Sequence, residues 1–236
     1  MNKGKLYLIP NIIAEGTQQL VITPQVYAIL PTIQHFLVED LRSARRYLGN
    51  LKIYQSIESL DFQLLNKDTE TESLTRLFAP VFKGINIGII SEAGVPGVAD
   101  PGSIAVNYAH ANDVQVVPLV GPSSLLLALM ASGLNGQRFA FHGYLPIDAK
   151  ECSKAIRNLE QESRQRNQTQ IFIETPYRNN RLMKLMVDNL QNETMLSIAL
   201  DLTGPGEKIK TLPVKQWKTR DLQLPKTPAV FLFLHI

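Results

Sequence analysis

The chain has 236 residues, 44% hydrophobic and 19% charged, with a formal net charge of +3 at pH 7. That length suits one large α/β domain or two small ones, and the composition is that of a folded globular protein rather than a disordered or fibrous one. A single cysteine, Cys152, excludes an intrachain disulfide; four scattered histidines, His35, His110, His142 and His235, lack metal-ligand spacing; the longest apolar runs, 125–131 and 229–234, are far short of a membrane span.

Residues 5–9 alternate into an apolar strand that stops at Pro10, and N-I-I-A-E-G-T after it reads as a loop. Pro24 opens a helix over 24–30, since proline at the first helical turn removes no hydrogen bond. Residues 35–38 form a short strand ending at Glu39-Asp40, and L-R-S-A-R-R-Y-L has the spacing of a helix carrying Arg42, Arg45 and Arg46, the most basic short stretch in the chain. Those arginines are either a solvated helix face or a substrate-facing patch. Residues 55–66 are weakly patterned, and 74–82 return to a helix.

Residues 85–90 read as a buried parallel strand. The connection that follows, S-E-A-G-V-P-G-V-A-D-P-G from Ser91 to Gly102, is longer than the 2–6 residues or so that a strand-to-helix turn requires. Gly94, Gly97 and Gly102 let backbone approach a ligand or take positive φ, while Pro96 and Pro101 stiffen the loop, so it reads as a binding element. Within it Asp100 is expected to brace the loop or cap the helix over 104–111. A strand over 114–117 then leads through a second turn, V-P-L-V-G-P-S-S, into an apolar helix over 125–131. Ser123 and Ser124 sit there as a helix cap or a ligand contact. Strands alternating with helices imply a mostly parallel sheet covered by helices on both faces, with ligands gathered beyond the carboxyl ends of its strands.

The pattern resets at S-G-L-N-G-Q-R, which sets two expected domains, 1–135 and 136–236. The second is a smaller mixed α/β sheet: strands over 139–142, 169–173, 195–200, 208–212 and 229–234, a polar helix over 151–167 and an amphipathic one over 177–190. Charged neighbours place Cys152 on the surface of the polar helix. Glu174 and Arg178 allow structural and chemical readings alike. A cleft between two such domains is the expected place for a ligand. The chain lacks G-x-G-x-x-G after its first strand, G-x-x-x-x-G-K-[ST], and G-x-S-x-G, so the commonest nucleotide and hydrolase fingerprints are excluded.

Taken together, I-I-S-E-A-G-V-P-G-V-A-D-P-G, V-V-P-L-V-G-P-S-S-L-L-L-A-L-M-A-S-G-L and F-H-G-Y-L-P closely resemble the tetrapyrrole methylase superfamily, and within it the ribosomal RNA small-subunit methyltransferase I branch. L-Y-L-I-P, V-E-D-L-R, F-I-E-T-P-Y-R and L-D-L-T-G-P-G-E extend the likeness over nearly the whole chain. The resemblance implies a two-domain methyltransferase, a homodimer that holds S-adenosylmethionine in the interdomain cleft, while the short apolar runs, single cysteine and scattered histidines set the expectation of a cytoplasmic protein with no membrane segment and no metal. Position by position, it implies cofactor contacts at Pro10, along the loop from Glu92 through Ala93 and Gly94 to Val95, at Ser123 and Ser124, near Phe172, at Leu200, and at Pro228 and Ala229.

The chain departs from the branch in reading I-P-N-I-I-A-E-G-T where members have T-P-I-G-N-L, E-A-G for D-A-G, and E-D-L-R for E-D-T-R, and it ends at P-A-V-F-L-F-L-H-I without a C-terminal helical extension. The leading expectation is a methyltransferase acting on ribosomal RNA at a ribose 2′-oxygen. Glu39, Asp40 and Glu92 are its candidate bases. Arg42, Arg45 and Arg46, with Lys208, Lys210, Lys215, Lys218 and Arg220, are its phosphate contacts. The alternatives are a small-molecule methylase of the tetrapyrrole type and a non-catalytic relative that binds S-adenosylmethionine or RNA. Methyl transfer from a sulfonium is an in-line displacement served by alignment and partial desolvation, which suits a site rich in shaped backbone and poor in catalytic dyads.

Overall fold

The computed structural model describes residues 3–236. The chain divides into two compact units, one ending at Ser123 and the other beginning at Ser124.

The first unit runs β1 (Leu6–Ile9), α1 (Gln18–Val21), α2 (Pro24–Ile29), β2 (His35–Val38), α3 (Leu41–Leu51), β3 (Asp61–Leu64), α4 (Thr71–Leu77), α5 (Ala79–Phe82), β4 (Ile87–Ile90), α6 (Gly102–Ala111) and β5 (Val116–Pro118). Its five strands lie in the order β3-β2-β4-β1-β5, all parallel. Alternate residues along each strand face opposite sides and build two cores. Tyr7, Ile9, Phe36, Val38 and Ile90 meet Val26, Ala44, Tyr47 and Leu48 from α2 and α3. Leu6, Leu37, Ile87 and Ile89 meet Leu74, Phe78, Val81, Ala105 and Ala109 from the opposite helical layer.

Strand β3, in the stretch without clear pattern, is an edge strand whose residues Gln63 and Leu64 are exposed. The helix expected over 74–82 is two helices meeting at Phe78, because Pro80 has no N–H to continue the ladder.

The second unit contains α7 (Ser124–Ser132), β6 (Phe139–Phe141), α8 (Ala149–Arg166), β7 (Thr169–Glu174), α9 (Asn179–Asn189), β8 (Met195–Leu200), β9 (Lys208–Pro213), α10 (Val214–Trp217) and β10 (Ala229–Leu234). Its sheet has the order β6-β7-β10-β8-β9, with β6 and β7 parallel and the other pairs antiparallel. Helices α8 and α9 cover one face through Ile156, Leu182, Met183 and Met186 against Phe172, Phe231 and Phe233. Helix α7 covers the other with Ala128 and Leu129 against Ile171, Ala199, Val230 and Leu232. The Thr211 hydroxyl also donates to the Ser132 carbonyl at 2.7 Å. These contacts put α7 in the second unit, so the division falls at Ser123–Ser124 rather than at the expected 135–136.

Cys152 is corrected by the fold. It is only 2% exposed, because Cys152, Ile156, Glu160 and Ser163 form the inward stripe of α8, and burial pushes its thiol up from the usual range. Among the described residues, no helix is long and apolar enough to cross a membrane, and no group of three or more His, Cys, Asp or Glu could hold a metal ion.

Candidate functional site

In the first sheet Ile9, Ile90 and Val38 stand level in register, so Pro10, Ser91 and Glu39 leave it side by side at its carboxyl edge. Asn11, one residue beyond Pro10, joins the first two exits. Its N–H donates to the Gly94 carbonyl at 2.7 Å, and its buried side-chain amide donates to the carbonyls of Ser91 and Glu92, each at 2.9 Å. The same side chain's oxygen accepts from the N–H of the next residue, Ile12, at 2.8 Å. Sequence reasoning passed over Asn11 as part of a loop; an Asn directly after a strand-ending proline was the available signal.

The β5 exit joins them by close approach. A Cβ on Gly121 would lie 2.0 Å from Cβ of Pro10, so only glycine lets these two turns touch. Gly94 sits at φ +72°, the left-handed region, which directs its carbonyl to Asn11. From the helical layer the Tyr47 hydroxyl reaches the Pro10 carbonyl at 2.7 Å.

Further along the long loop, Asp100 closes a ring. Its Oδ1 accepts from the N–H groups of Gly97 at 2.6 Å and Gly102 at 2.7 Å, so the carboxylate braces the loop. Burial nevertheless holds its pKa above the ordinary carboxylate range. Ala99, just before it, has φ +62°, a strained conformation for a residue with a Cβ. Glu39 stands at the same edge. Partial burial raises its pKa first, and repulsion from Glu92 and Asp100 adds to it, against a backbone hydrogen bond from Glu92. Asp40 differs: its carboxylate caps α3 by accepting from the Ser43 N–H at 2.7 Å, and that bond lowers its pKa.

Beside this edge lies a depression of about 390 Å³ lined by Asn11, Ile12, Ser43, Arg46, Asn50 and Glu92 among others. Ser43, Arg46, Tyr47 and Asn50 follow one another at helical spacing on α3, so one stripe of that helix forms a wall. The three candidate arginines are not gathered here. Arg46 is in the wall and pairs with Glu15 at 3.3 Å across exposed surface, whereas the Arg45 guanidinium lies 5.4 Å from the Phe62 ring centroid, over the edge strand. Arg42 acts on Asp40 as a nearby charge.

In the second unit Leu200 and Ala229 face each other at one end of the sheet, and the Pro228 carbonyl accepts from the Asp201 N–H at 3.1 Å. Phe172 is fully buried, its ring stacked 5.4 Å from both His142 and Phe233, so its side chain belongs to the core. Lys215 pairs with Glu193 at 2.9 Å and Lys218 donates to Asn192 at 2.7 Å, while Lys208 and Lys210 project from β9.

No protein-family model matches the chain. A ribosomal RNA small subunit methyltransferase I from Vibrio cholerae is 30% identical over 230 residues, covering 96% of this chain and 76% of the relative. The chain belongs to the ribosomal RNA small subunit methyltransferase I family. Solved structures agree on the fold. The methyltransferase CobJ aligns with a TM-score of 0.61 at 16% identity, over 97% of this chain and 93% of that one. A uroporphyrin-III C-methyltransferase from Thermus thermophilus, solved in complex with S-adenyl homocysteine, aligns at 0.56 and 14% identity, over 98% of each chain. In this chain the exits of β1, β4 and β5 are fixed against one another by the backbone and side chain of Asn11 and by the close approach of Gly121 to Pro10.

Proposed function

We propose that this protein is an S-adenosylmethionine-dependent methyltransferase that modifies ribosomal RNA at a ribose 2′-oxygen. One observation of the fold carries the reading. The long loop after β4 is held in a single shape by Asn11 and Asp100, and its acceptors are the exposed Glu92 carboxylate and carbonyl oxygens that keep a second lone pair beside their bond to Asn11. Ribose hydroxyls and an α-ammonium group are hydrogen-bond donors that such acceptors suit, and Gly94 and Gly97 leave room for a ligand to lie against backbone. Pro10, Glu92, Ala93, Gly94, Val95 and Ser123 would hold the cofactor from the first unit. The resemblance adds Ser124, Leu200, Pro228 and Ala229 to these contacts, with Phe172 contributing backbone alone.

S-adenosylmethionine supplies an electrophilic methyl group on a sulfonium. An acceptor hydroxyl that attacks it releases one proton, and Glu39 is the carboxylate to take it. Its raised pKa brings it closer to neutral pH than an ordinary glutamate, whereas Asp40 is committed to capping α3. Arg46, with Ser43 and Asn50, would receive the acceptor nucleotide in the adjoining depression, with Arg42 and Arg45 farther along the RNA. The resemblance also supports a homodimer, and a lone buried cysteine suits the reducing cytoplasm. The tetrapyrrole-type alternative is matched at the level of fold alone.

The reading is tested by mapping 2′-O-methylation of ribosomal RNA, nucleotide by nucleotide, in cells with and without the gene, together with calorimetry of S-adenosylmethionine binding. A methyl mark that disappears with the gene is expected. Unchanged maps would remove the RNA assignment, and absence of cofactor binding would remove the enzymatic one.

A further inference from the structure

The second unit carries a surface of exposed aromatic side chains close to Pro228. Three loops meet at the end of its sheet where β6 and β7 finish and β10 begins: residues 142–148, 174–179 and 225–228. They are sewn together. The Ile173 N–H donates to the Gly143 carbonyl at 3.0 Å, Arg178 Nη2 to the Leu145 carbonyl at 3.3 Å, and the Asn179 side-chain amide to the Thr227 carbonyl at 2.8 Å.

The middle loop is a turn closed by the Arg178 N–H to the Thr175 carbonyl at 2.9 Å, with Pro176 fixing φ at its second position and Tyr177 at its tip. Glu174 stiffens it by accepting from the Thr175 N–H at 2.7 Å and pairing with Arg178 at 2.7 Å. This rigid platform holds large side chains in water. Tyr177 is 84% exposed, Ile147 68% and Tyr144 57%. Large side chains exposed together on one rigid platform mark an interaction surface.

The charge around them is positive. Lys226 Nζ lies 5.8 Å from the Tyr177 ring centroid, and Arg181 is exposed, donating to the Ile147 carbonyl. The carboxylates of the same loops are occupied: Glu174 is neutralised by Arg178, and Asp148 caps α8 by accepting from the N–H groups of Lys150 and Glu151. Exposed, preorganised tyrosines beside cations are what unpaired nucleotides require, since every base has a face to stack and every linkage a phosphate to neutralise. A duplex hides its base faces and gains nothing from the tyrosines.

We propose that Tyr177 and Tyr144, with Lys226 beside them, form a stacking platform for unpaired nucleotides of the RNA on which this enzyme acts. The proposal rests on the reading of the chain as an RNA methyltransferase, and it assigns to the second unit a share of substrate binding.

The test uses the full chain and two labelled probes, a single-stranded oligoribonucleotide and a hairpin duplex, followed by fluorescence anisotropy. Wild type is expected to prefer the single strand. Tyr177→Ala and Tyr144→Ala should each weaken that binding about 5- to 100-fold, the range for loss of one base stack, while Tyr177→Phe stays within about twofold of wild type. S-adenosylmethionine affinity by calorimetry should not change. Single-strand binding that survives Tyr177→Ala would overturn the proposal, as would equal losses on single strand and duplex. A Tyr177→Ala variant that sediments as a smaller species without RNA would give the patch to a second copy of the chain and likewise overturn it. Protein that binds S-adenosylmethionine but neither probe refutes both the platform and the RNA assignment. Protein that binds the single strand through Tyr177 but fails to bind S-adenosylmethionine refutes the methyltransferase reading alone.

Discussion

Tyr47 donates its phenolic hydrogen to the carbonyl oxygen of Pro10 at 2.7 Å, tying the second turn of α3 to the exit of β1. Both residues are buried, and burial raises the phenol's pKa, so the group stays a donor at any physiological pH. Replacing Tyr47 by Phe keeps the ring in its core but leaves the Pro10 carbonyl without its partner. The expected cost is about 1–3 kcal/mol of folding stability, the penalty for an unpaired buried acceptor. Because Pro10 is held by Gly121 on one side and Tyr47 on the other, S-adenosylmethionine affinity should fall as well. Urea denaturation and calorimetry on Tyr47→Phe measure the two effects separately.

Gly94 is the position where backbone conformation and ligand binding meet. At φ +72° a β-branched residue is strained by about 1–3 kcal/mol, less than the stability of a typical domain. A Gly94→Val protein should therefore remain folded by circular dichroism while the loop shifts and its carbonyl leaves Asn11. Loss of S-adenosylmethionine binding in a folded variant is the expected result, and normal affinity would show that the loop is not part of the cofactor site.

Much of this arrangement was legible in the sequence, and the part that was not has physical causes. The apolar strands at 35–38, 195–200 and 229–234 have the same bounds in the fold, because residues buried on both faces leave an unbroken hydrophobic signal. The Gly/Pro composition of 91–102 announced a shaped loop. Strand β3 left no such signal, since at a sheet edge D-F-Q-L buries no residue fully. Cys152 was misplaced because its sequence neighbours are charged, whereas burial on a helix follows the neighbours three and four positions away. Helix α7 is apolar on every side, so its sequence could not say which sheet it would cover. Asn11 with Gly94, Tyr47 with Pro10 and Pro10 with Gly121 are pairings between distant positions, and only the register of a parallel sheet brings them together.

The acidic edge makes a prediction about pH. Glu39 holds its proton to a higher pH than the ordinary glutamate value of 4.5, through burial first and repulsion by Glu92 and Asp100 second. A carboxyl whose folded pKa is raised binds more protons in the folded state than in the unfolded one between those two pKa values. Its contribution to stability is therefore greatest below about pH 4.5 and is lost as pH rises through the folded value. Glu39→Gln should gain stability relative to wild type as pH is raised through that window, read by denaturant titrations at a series of pH values. Glu92→Gln should lower the Glu39 midpoint seen by carboxyl-carbon NMR. A midpoint unmoved by that substitution would refute the coupling.

Glu174 and Arg178 set the shape of the turn that carries Tyr177, and their pairing is partly buried: the Glu174 side chain is 2% exposed and that of Arg178 28%. Removing a partner from a buried ion pair strands the other charge away from water, which costs more than the pair itself contributes. Arg178→Met keeps an unbranched aliphatic stem but strands Glu174, so a loss of about 3 kcal/mol is expected, the lower end for buried pairs because Arg178 retains some solvent. The double variant Glu174→Leu with Arg178→Met strands no charge and, beyond the Leu145 carbonyl that Arg178→Met alone already leaves without its donor, frees only the Thr175 N–H, a cost of about 1–3 kcal/mol in place of the stranded charge. The double variant should therefore be more stable than Arg178→Met alone, a reversal that a model of additive contacts does not produce. Denaturation midpoints of wild type, both single variants and the double variant form the cycle that measures it.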